Sequence, residues 1–431
     1  MKTTLAFVLF LPRFLLASAS LAFAAESEPR ADHDRQWRRG NVHTHSHWSD
    51  GDDYLESIAA WYREHEYDFL VFTDHNVLAD KDRWVRVDKT KGGREAYDKL
   101  KAQFPDWIDE RGDGDALEVR LRRFDEVAKR MNQAGEFLLI PGEEISDAFE
   151  RAPIHMNVSN VKERIEPQHG RDVFDTIQRN VRAAQEQRER TGQTMMIHLN
   201  HPNFGYAVTA EDLMRVQGER FFEVFNGHPG VHNHGDHTHA GVEQIWDIIL
   251  AHRLAVFDLP LMYGLAVDDG HSYHGLPNRQ SNPGRGWVMV LCDKLEAGSL
   301  IESMERGDFY ASSGVRLESV ACDDAGMTIT VAPEPGENYT IEFIGTRQGT
   351  DLTGQPVLDD RGEPLRATRI YSDKVGEVLA KSIGEQASYA FQGDELYVRA
   401  RVTSSQKHPN PSEEGDFKQA WVQPVLGPGV E

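Results

Sequence analysis

Residues 43–51 read His-Thr-His-Ser-His-Trp-Ser-Asp-Gly. His43 and His45 alternate at the strand period, so both imidazoles leave one face. Asp50 follows in a turn-prone Ser-Asp-Gly that opens a helix. Two imidazoles and a carboxylate at one strand end outline a divalent-metal site. Further along stand Thr-Asp-His (73–75), Pro-Gly-Glu-Glu-Ile-Ser (141–146), Asn-His-Pro (200–202) and Asp-Gly-His (269–271), each closing an apolar, strand-like run. Ligand-type side chains at the ends of successive strands point to one polynuclear centre in the mouth of an α/β barrel. Such ligands suit zinc, manganese or iron. A carboxylate shared by two metals lets them share a water, whose pKa falls towards neutrality and yields a hydroxide nucleophile. The sequence has no nucleophile elbow and no activated Ser or Cys, so direct hydrolysis is expected without a covalent intermediate.

The elements that must position these residues are legible by period. Leu55, Ile58, Ala59 and Tyr62 follow the spacing of a helix with one buried face. Asp68–Thr73 is an apolar strand delivering Asp74 and His75. Leu117, Leu121, Phe124, Ala128 and Met131 recur at spacings of four and three, so part of that stretch is an amphipathic helix. The charged segment before it, Asp80–Gly114, reads as an insertion over the barrel mouth, either a substrate-selecting lid or a solvated excursion. Strands follow at Phe137–Ile140, Ile154–Val158 (carrying His155), Thr194–Leu199, Phe221–Phe225, Leu265–Val267 and Gly286–Cys292, with helices at Val173–Gln187 and Val242–Arg253. Apolar strands alternating with helices argue for a largely parallel sheet covered on its outer side. From about residue 315 the texture changes to short, alternating strands divided by turns, which reads as an antiparallel β domain over 315–431.

The five motifs, in this order over about residues 40–290, resemble the polymerase and histidinol phosphatase (PHP) family of metallohydrolases. The resemblance implies an irregular (β/α)7 barrel over residues 40–314 and two to three divalent metals per chain. By that pattern His43, His45, Glu144 and Asp269 hold one metal. Glu144 bridges to a second completed by His155 and His201, and Asp50, His75 and His271 hold a third. Glu144, Asp269 and His271 are the catalytic members. The family's Pro-Gly-x-Glu-Ile selects Glu144 over Glu143, Asp-x-His selects Asp269 over Asp268, and His-Pro selects His201 over His198. Asp74 is expected to orient a ligand, and His47 to be either a substrate contact or a rim histidine. Glu223, Asn226 and His228 end a strand and are candidate substrate contacts. Arg285, with Arg279 as the alternative, could grip a phosphate or carboxylate bidentately. His228, His232, His234, His237 and His239 crowd one loop with irregular spacing, and a weak metal trap or a solubilising loop is expected.

Composition bounds the setting. The net charge of −23 disfavours long nucleic acid and leaves a small-molecule substrate. Lys2 precedes two apolar runs split by Pro12-Arg13, ending in Ala22-Phe23-Ala24. That is the pattern of a cleaved leader over residues 1–24, and neither run reaches the ~20 residues needed to span a bilayer. Cleavage removes two cations and no acid, taking the charge to −25. A secreted or periplasmic address without a stable membrane anchor is expected, in which Cys292 and Cys322 could pair. A polymerase-associated role would need a polymerase, and histidinol phosphate is cytosolic. Exported chains with a C-terminal β domain look most similar to the branch that includes carbaryl-type carbamate hydrolases. Three functions stay open: a phosphoesterase, an ester, carbamate or amide hydrolase on the same metals, and a non-catalytic metal- or carbohydrate-binding protein. Mass spectrometry of the native protein should find its N-terminus between about Ala19 and Glu26, and an intact Met1 would remove the export reading.

Overall fold

The computed structural model describes residues 35–218 and 220–430, and the expected leader lies outside them. Thirteen strands form one sheet: β1 (Gln36–Asn41), β2 (Phe69–Phe72), β3 (Leu138–Phe149), β4 (Ala152–Ser159), β5 (Met196–Leu199), β6 (Phe221–Asn226), β7 (Tyr263–Val267), β8 (Trp287–Cys292), β9 (Phe309–Ser312), β10 (Tyr339–Arg347), β11 (Glu377–Ile383), β12 (Glu395–Lys407) and β13 (Phe417–Leu426). Their order is β7-β6-β5-β4-β3-β2-β1-β8-β9-β13-β12-β10-β11. β1–β2–β3 and β5–β6–β7 are parallel runs. Beyond the ends of β1 and β7, Thr44 bridges Gly270 in parallel, which ties the first strand to the seventh. The chain is thus a mixed α/β protein with a large sheet.

The sheet departs from parallel at β4, which runs against both β3 and β5. Only Glu150 and Arg151 separate β3 from β4, too short a link for a parallel crossover. The reversal has a consequence for chemistry. The start of β4 lies at the end of the sheet where its neighbours finish, so His155 joins the strand-end loops.

Helices at Leu55–Glu64, Val173–Thr191 and Val242–Ala255 cover the expected stretches. The second is capped at Asp172, whose side chain accepts from the Asp175 N–H at 2.7 Å, and stops at Gly192 with φ +66°. Ile177, Val181, Ile245 and Ile249 pack against Met156, Phe222 and Leu265. A second apolar cluster joins Ile58 and Tyr62 to Val127 and to Phe343 and Val398 of the C-terminal strands. Burial of such faces, at ~25 cal/mol per Å², holds the helices against the sheet.

Two local expectations change. Residues 118–121 form a strand, and the helix spans only Phe124–Met131. Val119 and Leu121 are buried at alternate positions, so the two-residue period wins where four-residue spacing had suggested helix. Ala25–Arg39 is polar in sequence and reads as a lead-in, yet its last residues, Gln36–Arg39, belong to β1. There Trp37 stacks edge-on against Tyr310 at 4.9 Å, and Arg38 pairs with Asp68 at 2.9 Å. Cys292 and Cys322 are free thiols, the first buried and the second exposed.

The C-terminal strands join the sheet where β13 pairs with β9. They also clasp the helix Val242–Ala255: Arg399, buried, donates to both oxygens of Asp247 at 2.8 and 2.6 Å, and the Tyr397 hydroxyl donates at 2.8 Å. Arg399→Ala leaves Asp247 uncompensated in the interior, and a loss of about 3–5 kcal/mol is expected, read as a lower urea midpoint. A loss under about 1 kcal/mol would mean that this clasp is dispensable.

Candidate metal centre

The His-x-His loop is shaped from below by Gly51. A Cβ there would lie 2.6 Å from the His45 carbonyl oxygen, so only glycine lets Ser-Asp-Gly fold under the histidines and return Asp50 towards them. Asp74 fixes the same loop. Its carboxylate accepts from the Ser46 N–H and hydroxyl at 2.8 and 2.7 Å, and from the Ser49 hydroxyl at 2.6 Å. Gly142 does similar work on β3, where a Cβ would lie 2.8 Å from the Phe72 oxygen and 2.9 Å from that of Val158. This close approach sets the register of Glu143 and Glu144.

The nine expected ligands converge. His43 Nε2 and His45 Nε2 lie 3.0 Å apart, and each stands 3.2 Å from Asp269 Oδ1. Glu144 Oε2 is 3.6 Å from the first and 3.3 Å from the second. A tetrahedron whose vertices lie about 2.1 Å from its centre has edges of about 3.4 Å, which these five spacings approach, and His43, His45 and Glu144 form a group able to hold a metal. Glu144 extends the cluster, with Oε2 at 2.8 Å from His75 Nδ1 and Oε1 at 2.9 Å from His155 Nδ1 and 3.7 Å from His201 Nε2. His45, Asp50, His75 and His271 form a further group able to hold a metal, with Asp50 Oδ1 at 3.2 Å from His271 and 3.5 Å from His75. Among the described residues Glu144 Oε2, Asp50 Oδ1 and His155 Nδ1 are buried atoms without a hydrogen-bond partner. Orphaned lone pairs that converge in this way fit a cation. Exposure rises from none at the His43 side chain to 42% at that of Asp50, which marks the open edge.

Charge explains the balance of the site. Burial opposes ionisation of Glu144, but His75, His155 and His43 hold its carboxyl well below the usual range. Burial also lowers His43, yet Asp269, Glu223 and Glu144 outweigh it and raise its pKa well above 6.5. His45 goes the other way, down to about 3, through burial and the neighbouring His271 and His75. Two of the candidate ligands carry unusual backbones: φ is +50° at Asp269 and +22° at His201. Such geometry costs of order 1–3 kcal/mol per residue and gathers at functional sites.

Several residues lie elsewhere than the sequence suggests. Glu223 and Asn226, expected to touch substrate, are buried behind the ligands. Glu223 Oε1 accepts from His43 Nδ1 at 2.6 Å, and Oε2 accepts from the His201 N–H and from Asn226 Nδ2, each at 2.8 Å. Asn226 also donates to Asp269 Oδ2 at 3.1 Å. A carboxylate behind a ligating histidine fixes its tautomer and orientation. Arg285 is buried as well. Its guanidinium donates to the carbonyls of Gly227 at 2.8 Å and Asn278 at 3.1 Å and to Asn410, so it braces loops and does not reach for an anion. Asp268 accepts from the Arg285 and Gly286 N–H groups, and His198 lies behind Glu223. His47 is buried, 3.1 Å from the Gly51 oxygen. In the histidine-rich loop, His232 and His239 each stack on Tyr206, at 5.0 and 3.7 Å, while His232, His234 and His237 are exposed. Sequence reasoning missed Asn200, which donates to Glu144 Oε1 at 2.8 Å, although it opens the Asn-His-Pro motif. It also missed Lys91, whose Nζ lies 3.1 Å from Asp50 Oδ2 and which no motif marks.

No protein-family model matches the chain, and no curated protein matches it. Ten solved chains match it, including the following two. One is a two-domain protein containing a predicted PHP-like metal-dependent phosphoesterase from Bacteroides vulgatus ATCC 8482, 14% identical, covering 90% of this chain and 96% of its own, with a TM-score of 0.39. The other is an inferred metal-dependent phosphoesterase from Bifidobacterium adolescentis ATCC 15703, 15% identical, covering 56% of this chain and 89% of its own, with a TM-score of 0.29.

Glu143 and Glu144 offer a paired test. Glu143 points away from the cluster and accepts the Ile165 N–H at 2.6 Å, and burial pushes its pKa up to about 8. Glu144→Gln should lower metal content, measured by elemental analysis, while Glu143→Gln should retain it. The raised pKa fixes the sign of a second readout. The stability tied to the neutral Glu143 carboxyl is full below about 4.5 and is lost as pH rises through about 8. Glu143→Gln should therefore resist urea better than the parent at pH 9 and match it near pH 5. A reversed pair of metal contents would put the register of β3 off by one residue.

Proposed function

We propose that this chain is an exported, PHP-type metallohydrolase that cleaves small phosphate esters at a cluster of two to three divalent metals. The observation that carries the reading is Glu144, a fully buried carboxylate with His43, His45, His75, His155 and His201 all within 3.7 Å. The bridge from Thr44 to Gly270 supports reading β1 to β7 as an irregular (β/α)7 barrel over residues 40–314, with the later strands as its β appendage. The export reading rests on the leader pattern of residues 1–24.

His43, His45, Glu144 and Asp269 would hold one metal, Glu144 with His155 and His201 a second, and Asp50, His75 and His271 a third. Zinc, manganese and iron all suit this donor set. A divalent metal held there supplies Lewis acidity and lowers the pKa of water. The chain's own groups orient the donors: Glu223 holds the Nδ1 side of His43, so that Nε2 faces the cluster, and Asp74 keeps the His45 loop in place. Substrate would enter at Asp50 and His75, the exposed side. The spread negative charge of a tetrahedral phosphoryl group would suit several cationic positions better than a planar carbonyl would.

A second reading, carboxylester, carbamate or amide hydrolysis on the same ligands, is favoured by one observation. Arg285 has its guanidinium committed to loop carbonyls and offers no grip for a phosphate. The two readings separate in a panel of phosphomonoester, phosphodiester, carboxylester and carbamate model substrates, run with zinc-, manganese- and iron-loaded protein. Two to three metals per chain and a kcat/KM for phosphoesters at least tenfold above the others are expected. One metal or none would remove the cluster. A faster carbamate or ester would select the second reading.

A further inference from the structure

With Arg285 withdrawn, the cation that meets a substrate anion must come from elsewhere. The chain carries a net charge of −23, so a positive side chain at the open edge would help an anion to reach the proposed metals. Among the described residues, Lys91 is the one lysine or arginine whose side chain hydrogen-bonds to any of the nine candidate ligands. It comes from the Asp80–Gly114 insertion. Asp50 divides its carboxylate between two neighbours: Oδ1 faces His271 and His75, and Oδ2 accepts from Lys91 Nζ at 3.1 Å.

The position of Lys91 is built. A Cβ on the next residue, Gly92, would lie 1.9 Å from the Asp52 oxygen, so the turn is pressed onto the Ser-Asp-Gly-Asp loop with no room for a side chain. The hydroxyl of Thr90 accepts the Gly93 N–H at 3.1 Å and donates to the Val87 oxygen at 3.0 Å. From the helix that follows, Gly93–Gln103, Lys99 pairs with the buried Asp53 at 2.5 Å. The backbone is therefore docked on the metal loop while the Lys91 side chain stays 59% exposed. An ammonium has three donors, and Asp50 takes one. Exposed lysine–carboxylate pairs are loosely held, so phosphate oxygens can replace or share this partner. Lysine serves anions as a compact point charge, suited to a dianion of no fixed orientation.

We propose that Lys91 binds the anionic group of the substrate at the open edge of the cluster and so selects phosphomonoester dianions over diesters and neutral esters. The proposal rests on the phosphoesterase reading above and adds the residue that sets its substrate class.

The test uses the full chain loaded with one metal, as the parent and as Lys91→Ala, Lys91→Arg and Lys89→Ala. Lys89, exposed and 3.4 Å from Asp88, is the charge control. KM is measured for 4-nitrophenyl phosphate, bis(4-nitrophenyl) phosphate and 4-nitrophenyl acetate, with metal content determined on each preparation. Lys91→Ala should raise KM for the monoester at least tenfold, for the diester by less and for the acetate least, with kcat falling less than KM rises and metal content equal to the parent. Lys91→Arg should recover most of the monoester KM, and Lys89→Ala should stay within twofold of the parent. An equal rise on all three substrates, or loss of metal in Lys91→Ala, would overturn the proposal and leave Lys91 as a brace for Asp50. A parent that cleaves no phosphoester would instead defeat the phosphoesterase reading. Lys91 is then judged by calorimetry with inorganic phosphate on the loaded protein. Tenfold weaker binding in Lys91→Ala supports it, while equal affinity, or no binding by the parent, overturns it.

Discussion

A carboxylate shut away from water is costly unless positive or polar groups surround it. Glu144 is that carboxylate, and much of the structure is arranged to make its burial tolerable. Five imidazoles lie within 3.7 Å of it, and Asn200 donates to one oxygen. The exchange is mutual: burial disfavours charge on His75, but Glu144 and Asp50 raise its pKa to about 9. Protons and divalent cations compete for the same lone pairs, so a charge balance of this kind is also a metal-binding balance.

Behind the cluster stand buried carboxylates that work as struts. Glu223 joins β6 to the loops after β1 and β5 through His43 and the His201 N–H. Asp74 joins the loop after β2 to the one after β1. Asp268 joins the end of β7 to Gly286 and, through Tyr62, to the first helix. Each accepts several N–H or O–H groups, which offsets its desolvation. Glu223 accepts the N–H of His201, and Asn226 donates to Asp269, the two candidate ligands with positive φ.

The periphery is coupled to this centre by ion pairs and packing. Lys99 and Asp53 dock the insertion on the His-x-His loop, and Arg399 and Asp247 fasten the C-terminal strands to the helix before β7. The histidine-rich loop reaches the cluster through His228, which packs edge-on against Phe204, itself in contact with His201. Segments that the sequence marks only as polar thus have fixed places around the site.

Much of the site was legible because metal ligands are few in type and strand ends are marked by apolar runs. The alternation of His43 and His45, the choice of Glu144 over Glu143 and the pairing of Asp269 with His271 follow from period and motif, and the structure brings these residues within a few ångströms of one another. What chain order could not encode was direction and depth. The two-residue turn that reverses β4 decides how His155 reaches the mouth. Whether a polar residue at a strand end faces solvent or the interior depends on neighbours distant in sequence. Glu223 and Asn226 therefore became supports, and Arg285 a brace between loops more than 50 and 120 residues away. Lys91 had no motif to mark it, because its place depends on Gly92 fitting against Asp52, a contact between segments distant in the chain. Side-chain chemistry, local period and the resemblance to a known family's motifs named the candidate ligands, while long-range packing decided which polar groups join the cluster, which brace the scaffold and which stay exposed at its edge.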